Sequence, residues 1–193
     1  MGFLSLPDAR AHLNDLGSVD DVELEGYIAA AERVVEDLVG PVAPRAVDEF
    51  LHGGRADITL THYPVLSVQA VTEYAGTLGQ ALALEPLSGG VFSAFGYTLD
   101  AEQGVLARTT YGAPVRFATG RRNVRVQYTA GRSPVPENIR LATLELVRLN
   151  WGPQRSGGPA MPYDEEATGQ SLRMSYGRVK SMLAPDLRGP VVA

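Results

Sequence analysis

The sequence predicts an α+β fold in which a small helical bundle carries a β-rich insertion of antiparallel hairpins. Apolar residues recur at helical spacing near both ends of the chain, and between residues 45 and 131 the period changes to that of strands. The 193 residues, 45% of them hydrophobic, suit one domain with a sizeable insertion. We therefore expect a helical body from residues 1–44 and 132–193, an insertion over 45–131, and an extended C-terminal tail over 185–193.

The N-terminal helices are predicted from capping residues and from one apolar stripe. Ser5 precedes LPDARAHL and has Asp8 three residues after it, as in a capping box, which indicates a short first helix. A second helix is predicted from Asp21 to Val39, where apolar residues share one stripe and Gly40-Pro41 ends the pattern. Carboxylates fill its opposite face, which is a solvated surface, an acidic wall facing another molecule, or a cation site.

The insertion is predicted from turn residues and strand alternation. Gly53-Gly54 indicates a first hairpin, and GYTLDAEQGVLAR a second hairpin with its turn at Asp100 to Gly104. Pro64 opens YPVLSVQAVTEY and suits a strand entry or an edge. NVRVQYTAG alternates apolar and polar residues, which predicts a half-buried strand.

A third helix is predicted from about Pro136 to Trp151, ending at Gly152-Pro153. Its apolar residues form two stripes, the first with Ile139, Ala142, Leu146 and Leu149, the second with Leu144, Val147 and Trp151. Two stripes indicate burial on two sides, either deep in the monomer or also against a neighbour, so the second set comprises candidate subunit-interface or core residues. A closing helix, YGRVKSMLAP, stops before Pro185.

Residues typical of catalytic and metal sites are sparse. The chain has no cysteine, and no two of its three histidines have metal-ligand spacing. The turn at Gly131 to Ser133 fits neither the phosphate-loop nor the nucleophile-elbow spacing, and Pro134 removes a backbone donor there. We expect no enzymatic activity, no metal, no cofactor, no signal peptide and no membrane span.

Charge is distributed unevenly. Residues 1–40 hold nine acids and two bases, a net charge of −7, whereas residues 41–162 hold eleven bases and nine acids, a net charge of +2. Bulk charge therefore argues against tight nucleic-acid binding, and the segregation suits head-to-tail stacking with copies or partners. A local basic cluster (Arg121, Arg122 and Arg125) is either a solvated turn or a contact for an acidic partner.

Taken in order, these segments resemble the head–tail connector (adaptor) proteins of tailed bacteriophages, the ring proteins placed directly below the portal. The resemblance rests on LSLPDARAHLN, DDVELEGYIAAAERVVEDLVG, TLTHYPVLSVQAVTEY, GYTLDAEQGVLAR, VRVQYTAGRSPVPENIRLATLELVRLNW and YGRVKSMLAP. Two features depart from the family pattern: residues 75–97 are longer and richer in glycine, and the proline usual before the last helix is missing.

The resemblance implies a virion structural protein of the neck, present in the host cytoplasm during assembly. It implies a ring homo-oligomer, usually dodecameric, that docks on the portal protein and offers a platform to the stopper or tail-completion protein. Double-stranded DNA would pass through its channel during genome ejection, without sequence-specific binding. The alternatives are another neck or tail-completion protein, or a small α+β ligand-binding or enzymatic domain.

By analogy with the family, the C-terminal segment engages the portal. The candidate portal-docking residues are Leu183, Leu187, Arg188, Val191 and Val192. From the residues alone, the tail GPVVA is either a frayed terminus or a short strand that adds to a partner's sheet edge. An acidic second helix would suit a channel wall that lets DNA pass, with Glu25, Glu32 and Glu36 as the candidate channel-facing residues.

Overall fold

The computed structural model of the chain describes residues 2–13, 21–86, 89–155 and 176–187. The α+β class predicted from the sequence is confirmed. The chain divides into two compact units. Residues 1–43 and 134–193 form the helical unit, and residues 44–133 form the β unit.

The helical unit contains α1 (Leu6–Leu13), α2 (Asp21–Val39), α3 (Glu137–Arg155) and α4 (described over residues 176–183), followed by a 3-10 turn at Ala184–Asp186. Ser5 caps the start of α1: Asp8 N–H donates to the Ser5 hydroxyl, and that hydroxyl donates to the Asp8 carboxylate at 2.7 Å. The hydrogen bond from Ser5 lowers the pKa of Asp8. Gly40, with φ 84°, ends α2 by donating its N–H to the Glu36 carbonyl.

The end predicted for α3 is wrong, because the helix continues through Gly152-Pro153 to Arg155. A proline lacks only its own N–H, so in the last turn it removes a single hydrogen bond and need not end the helix at that point. At the other end, the Pro136 carbonyl accepts the N–H groups of Ile139 and Arg140, which starts the helix at Glu137.

The core of the helical unit contains both apolar stripes of α3. Ile139, Ala142 and Val147 are at most 1% exposed, and Trp151 meets Tyr27 edge to face with ring centroids 5.5 Å apart. These residues pack with the buried stripe of α2. Of the two possibilities for the second stripe, the structure shows burial within the monomer.

The β unit is one sheet with strand order β1-β8-β3-β4-β5-β6-β2, and β7 pairs with β6. The strands are β1 (Arg45–Leu51), β2 (Asp57–Thr59), β3 (Val65–Ala75), β4 (Leu78–Leu84), β5 (Gly96–Asp100), β6 (Val105–Thr110), β7 (Ala113–Pro114) and β8 (Val124–Ala130). The described pairings are antiparallel except that β4 and β5 run parallel at Ala83 and Leu84. Alternate residues of β8 are buried, which confirms its predicted half-buried pattern.

The hairpin predicted around Gly53-Gly54 is wrong, whereas the second predicted hairpin is confirmed. β1 pairs with β8 and β2 pairs with β6, so the strands on either side of Gly53-Gly54 do not pair with each other. β5 and β6 form the second hairpin, in which Asp100 Oδ1 accepts the N–H groups of Glu102 and Gln103, and Gly104 adopts φ 66°. β4 lies within residues 75–97, the stretch that is longer and richer in glycine than the family pattern.

Candidate assembly surfaces

The acidic face of α2 is partly used inside the helical unit. Glu32 Oε1 accepts the N–H groups of Phe3 and Leu4, both at 2.7 Å, and so fixes the N-terminal segment to the helix. Glu36 Oε1 accepts the Val42 N–H at 2.9 Å and fixes the chain that leaves the helix. Glu25 is exposed. Of the three candidate channel-facing carboxylates, two therefore hold the protein's own backbone.

The second stripe of α3 is core. Leu144, Val147 and Trp151 are 4%, 1% and 5% exposed, and all belong to one buried cluster of the helical unit. Leu141, on another side of the helix, is 39% exposed.

The C-terminal candidate residues fall into three groups. Leu183 is fully buried in the helical core, so in the chain by itself it is a core residue, and its role in portal docking stays a prediction. Leu187 is half-buried against the same core, and the preceding turn is held by Asn138, whose amide donates to the Met182 carbonyl and to Asp186. The 3-10 turn includes Pro185 and Asp186, so the first residues of the predicted tail are not extended. Arg188, Val191 and Val192 lie outside the described residues.

The basic cluster predicted from the sequence divides into two. Arg125 makes two hydrogen bonds to the Asp48 carboxylate, at 2.9 and 2.6 Å, and lies over the Phe50 ring. The hydrogen bond from Arg125 lowers the pKa of Asp48 and raises that of the guanidinium. Arg121 and Arg122 instead lie on an exposed loop next to residues 52–55. Arg125 is therefore an ion-paired residue of the sheet face, separate from the other two.

A charge-free surface occupies the region that the sequence left without a role. From Tyr74 to Leu99 the only charged residue is Glu85, which is buried at 5% exposure. Large apolar side chains there are nevertheless exposed: Leu78 (77%), Leu84 (49%), Val91 (58%), Phe92 (47%) and Phe95 (46%), with Tyr111 (70%) on the β6–β7 turn. Exposed apolar side chains without nearby charge are typical of interaction surfaces.

The loop that carries this surface is fixed to the sheet. Glu85 accepts the Ser93 N–H at 2.6 Å and the Thr109 hydroxyl at 2.7 Å, and Tyr111 N–H donates to the Ser93 carbonyl at 2.7 Å. We call residues 89–95 the apolar loop. The hydrogen bonds of Ser93 to Glu85 and Tyr111 hold the loop against the sheet with its apolar side chains exposed.

Strand β4 adds an unpaired edge beside the apolar loop. In the described sheet, β4 pairs with β5 only at its last two residues, whereas it pairs with β3 from Leu78 to Leu82. Ala83 N–H points towards β5, and N–H groups alternate in direction along a strand, so those of Gly79 and Ala81 point away from β3. Edge strands usually carry charges that prevent pairing with another chain, and this edge has none.

Two classes of site are absent from the part of the chain that the structure describes. No group of three or more His, Cys, Asp or Glu side chains there could hold a metal ion. Within the same residues, no helix combines the length and apolar character needed to cross a membrane.

Comparisons with known proteins give a likeness to solved structures. No protein-family model and no curated protein matches the chain. A chain from the neck of an empty GTA particle computed with C6 symmetry aligns with a TM-score of 0.63 at 19% identity, covering 98% of this chain and 92% of that chain.

Two further structures give the same result. A chain from the virion of a native gene transfer agent (GTA) particle aligns with a TM-score of 0.61 at 20% identity, covering 98% of this chain and 92% of that chain. A chain from the neck of a native GTA particle computed with C12 symmetry aligns with a TM-score of 0.59 at 18% identity, covering 97% of this chain and 90% of that chain. At these identities the likeness establishes a shared fold.

Proposed function

We propose that this chain is a structural head-to-tail adaptor of a tailed-phage-like particle. It assembles as a ring under the portal in the virion neck, extends the DNA channel and provides the platform for the stopper or tail. The observation that carries this proposal is a fold likeness, over nearly the whole of both chains, to a chain from a GTA particle neck. The segment order of the sequence, with its resemblance to adaptor proteins, supports the same conclusion.

The charge-free surface of the β unit supports self-assembly. In this proposal the apolar loop and the open edge of β4 contact the next copy in the ring. Apolar side chains at 46–58% exposure lose that exposure when a neighbour covers them, and the unpaired N–H groups of Gly79 and Ala81 offer strand pairing. A ring requires a heterologous contact, so the surface that receives the loop is a different one on the neighbour.

Portal docking is assigned to the C-terminal residues after the helical core. Because Leu183 is buried in the core, the residues proposed to contact the portal first are Leu187, Arg188, Val191 and Val192. The role in this proposal is structural and not enzymatic. Glu25 is the remaining candidate for an acidic channel wall, since Glu32 and Glu36 bind backbone amides.

The test uses co-sedimentation of the purified chain with DNA-filled capsids from particles that lack it. The wild-type chain is expected to sediment with these capsids at a fixed ratio to the portal protein. Val91→Asp is expected to abolish ring-stoichiometric binding, because a carboxylate then enters an apolar contact. Val22→Asp is the matched control: Val22 is 85% exposed in the first turn of α2, so the same change there leaves binding intact.

The outcomes separate the parts of the proposal. If the wild-type chain does not sediment with capsids, the adaptor role is wrong. If Val91→Asp binds as well as Val22→Asp, the apolar loop is not the subunit contact. Binding to purified tails and not to capsids would instead indicate a tail-completion protein.

A further inference from the structure

Four arginines lie on two segments that run side by side at one end of the β unit, although about sixty residues separate the segments in the sequence. Arg55 follows the turn after β1, and Arg116, Arg121 and Arg122 lie in the loop before β8. The two segments run side by side: Phe117 N–H donates to the Arg55 carbonyl at 2.9 Å, and Gly54 N–H donates to the Phe117 carbonyl at 3.1 Å. We call these four residues the arginine end.

The backbone that carries the arginine end is closely packed. Asn123 accepts the Gly53 N–H at 2.9 Å and donates to the carbonyls of Ala118 and Tyr74. A side chain at Gly53 would meet the Ala118 carbonyl oxygen at 2.1 Å, so only glycine allows this approach. The positions from which the arginines project are therefore fixed.

A strained residue forms part of the same platform. Arg122 adopts φ 52°, which is uncommon outside glycine, and its N–H donates to His52 Nδ1 at 2.9 Å. This hydrogen bond joins the loop before β8 to the segment after β1 and sets the direction in which Arg122 leaves the backbone.

The four guanidinium groups are exposed and unneutralised. None of them makes an ion pair within the described residues, whereas Arg108 pairs with Glu73 and Arg125 pairs with Asp48. The two segments, residues 52–57 and 115–123, contain the four arginines and one acid, Asp57, which gives a net charge of +3 with His52 neutral. The described structure thus concentrates unpaired positive charge at one end of the unit.

We propose that the arginine end binds the phosphate backbone of duplex DNA without reading its bases. Guanidinium groups bind phosphate oxygens bidentately, and unpaired clustered arginines are the groups that release counterions from DNA. The choice of DNA rests on the proposed function, in which duplex DNA passes the neck. It places the DNA contact on the β unit and not on the acidic α2.

The composition of the patch favours a polyanion over a protein surface. No large apolar side chain is exposed within residues 52–56 or 115–123, whereas the core of a protein interface is apolar. The helical unit has nine bases against fifteen acids, a net charge of −6, so DNA is repelled there and attracted at the arginine end.

The test measures fluorescence anisotropy of a labelled mixed-sequence duplex with the full chain, between about 20 and about 200 mM NaCl. Arg121→Gln/Arg122→Gln is expected to weaken DNA binding at low salt about tenfold or more. The slope of the logarithm of the binding constant against the logarithm of salt concentration is expected to fall in magnitude by about two. Arg178→Gln/Lys180→Gln removes the same charge from exposed positions of the helical unit and is expected to change affinity less than about twofold. Arg121→Lys/Arg122→Lys keeps the charge and is expected to retain most of the salt dependence of DNA binding.

Three results would overturn the proposal: no binding of the wild-type chain at low salt, an equal loss in the helical-unit control, or no loss in Arg121→Gln/Arg122→Gln. If this variant loses self-association and keeps DNA affinity, the arginine end contacts protein and the proposal is also wrong. Circular dichroism of each variant confirms that the fold is retained. Capsid co-sedimentation does not depend on this assay, so the adaptor role stands or fails separately.

Discussion

Replacing Leu183 with alanine separates a core role from a docking role. Leu183 is fully buried among the apolar residues of the helical unit. Leu→Ala at such a site loses the transfer free energy of the deleted carbons and leaves a cavity, which together cost about 3 kcal/mol. With a urea dependence of about 2 kcal/mol per molar for a unit of this size, the midpoint of unfolding falls by about 1.5 M.

The assay follows the fluorescence of Trp151, the single tryptophan of the chain. Trp151 is 5% exposed and packs against Tyr27, so its emission reports unfolding of the helical unit. Leu141→Ala is the matched control, because Leu141 is 39% exposed and its truncation should cost less than about 1 kcal/mol.

The reasoning would be refuted by a particular pair of results. If Leu183→Ala unfolds at the same urea concentration as the wild type but no longer binds capsids, Leu183 is a docking residue and the core assignment is wrong. If it unfolds early while its folded fraction still binds capsids, the core assignment stands.

Three further predictions concern the β unit and the tail. Burial, with the hydrogen bond that Tyr128 donates to Glu49 at 2.6 Å, raises the tyrosine pKa. The stability that protonated Tyr128 contributes is therefore complete below the unfolded-state pKa of 10.0. It is lost as pH rises above that value towards the folded-state pKa. Tyr128→Phe should cost about 1–2 kcal/mol at neutral pH, measured by hydrogen exchange of β8, and should lessen the alkaline loss; an unchanged alkaline profile contradicts this. Glu73→Gln leaves the buried Arg108 without its counter-charge and should cost about 3–5 kcal/mol in urea unfolding of the β unit. Asp48→Asn breaks an exposed ion pair and should lower the unfolding midpoint far less; equal shifts of the two midpoints would refute the distinction. Deleting residues 188–193 should abolish capsid co-sedimentation without moving the Trp151 unfolding midpoint, and retained binding would exclude the tail as the docking element.

Local signals in the sequence are sufficient to predict the positions of the N-terminal helices. The apolar stripe of α2 and its Gly40 end are properties of neighbouring residues, and Ser5 caps α1 through the Asp8 N–H as the spacing predicts. The end of α3 was missed because Pro153 stops a helix only where its missing N–H and its ring cannot be accommodated.

The pairing of the strands could not be predicted from the sequence and is known only from the structure. β1 has the alternation of a strand, but its partner is β8, whose residues lie about eighty positions later, so the turn residues Gly53-Gly54 suggested the wrong neighbour. Long-range hydrogen bonds likewise place Arg55 beside Phe117, the neighbour of Arg116, which composition along the chain does not reveal.

The candidate sites also depend on long-range contacts that the sequence does not reveal. Glu32 reads as a solvent-facing carboxylate on a helix, yet it accepts backbone N–H groups from residues 3 and 4, and backbone donors leave no pattern in the sequence. The apolar loop was also missed, because the burial of Glu85 and its hydrogen bonds to Ser93 and Thr109 depend on contacts that the local sequence pattern does not show.

Electron cryomicroscopy of the portal vertex tests the central proposal most directly. Capsids from particles that lack this chain are imaged before and after addition of the purified wild-type protein. The account predicts a new ring below the portal, with rotational symmetry and one copy of the fold fitting each repeat. An unchanged vertex, or density elsewhere on the particle, would contradict it.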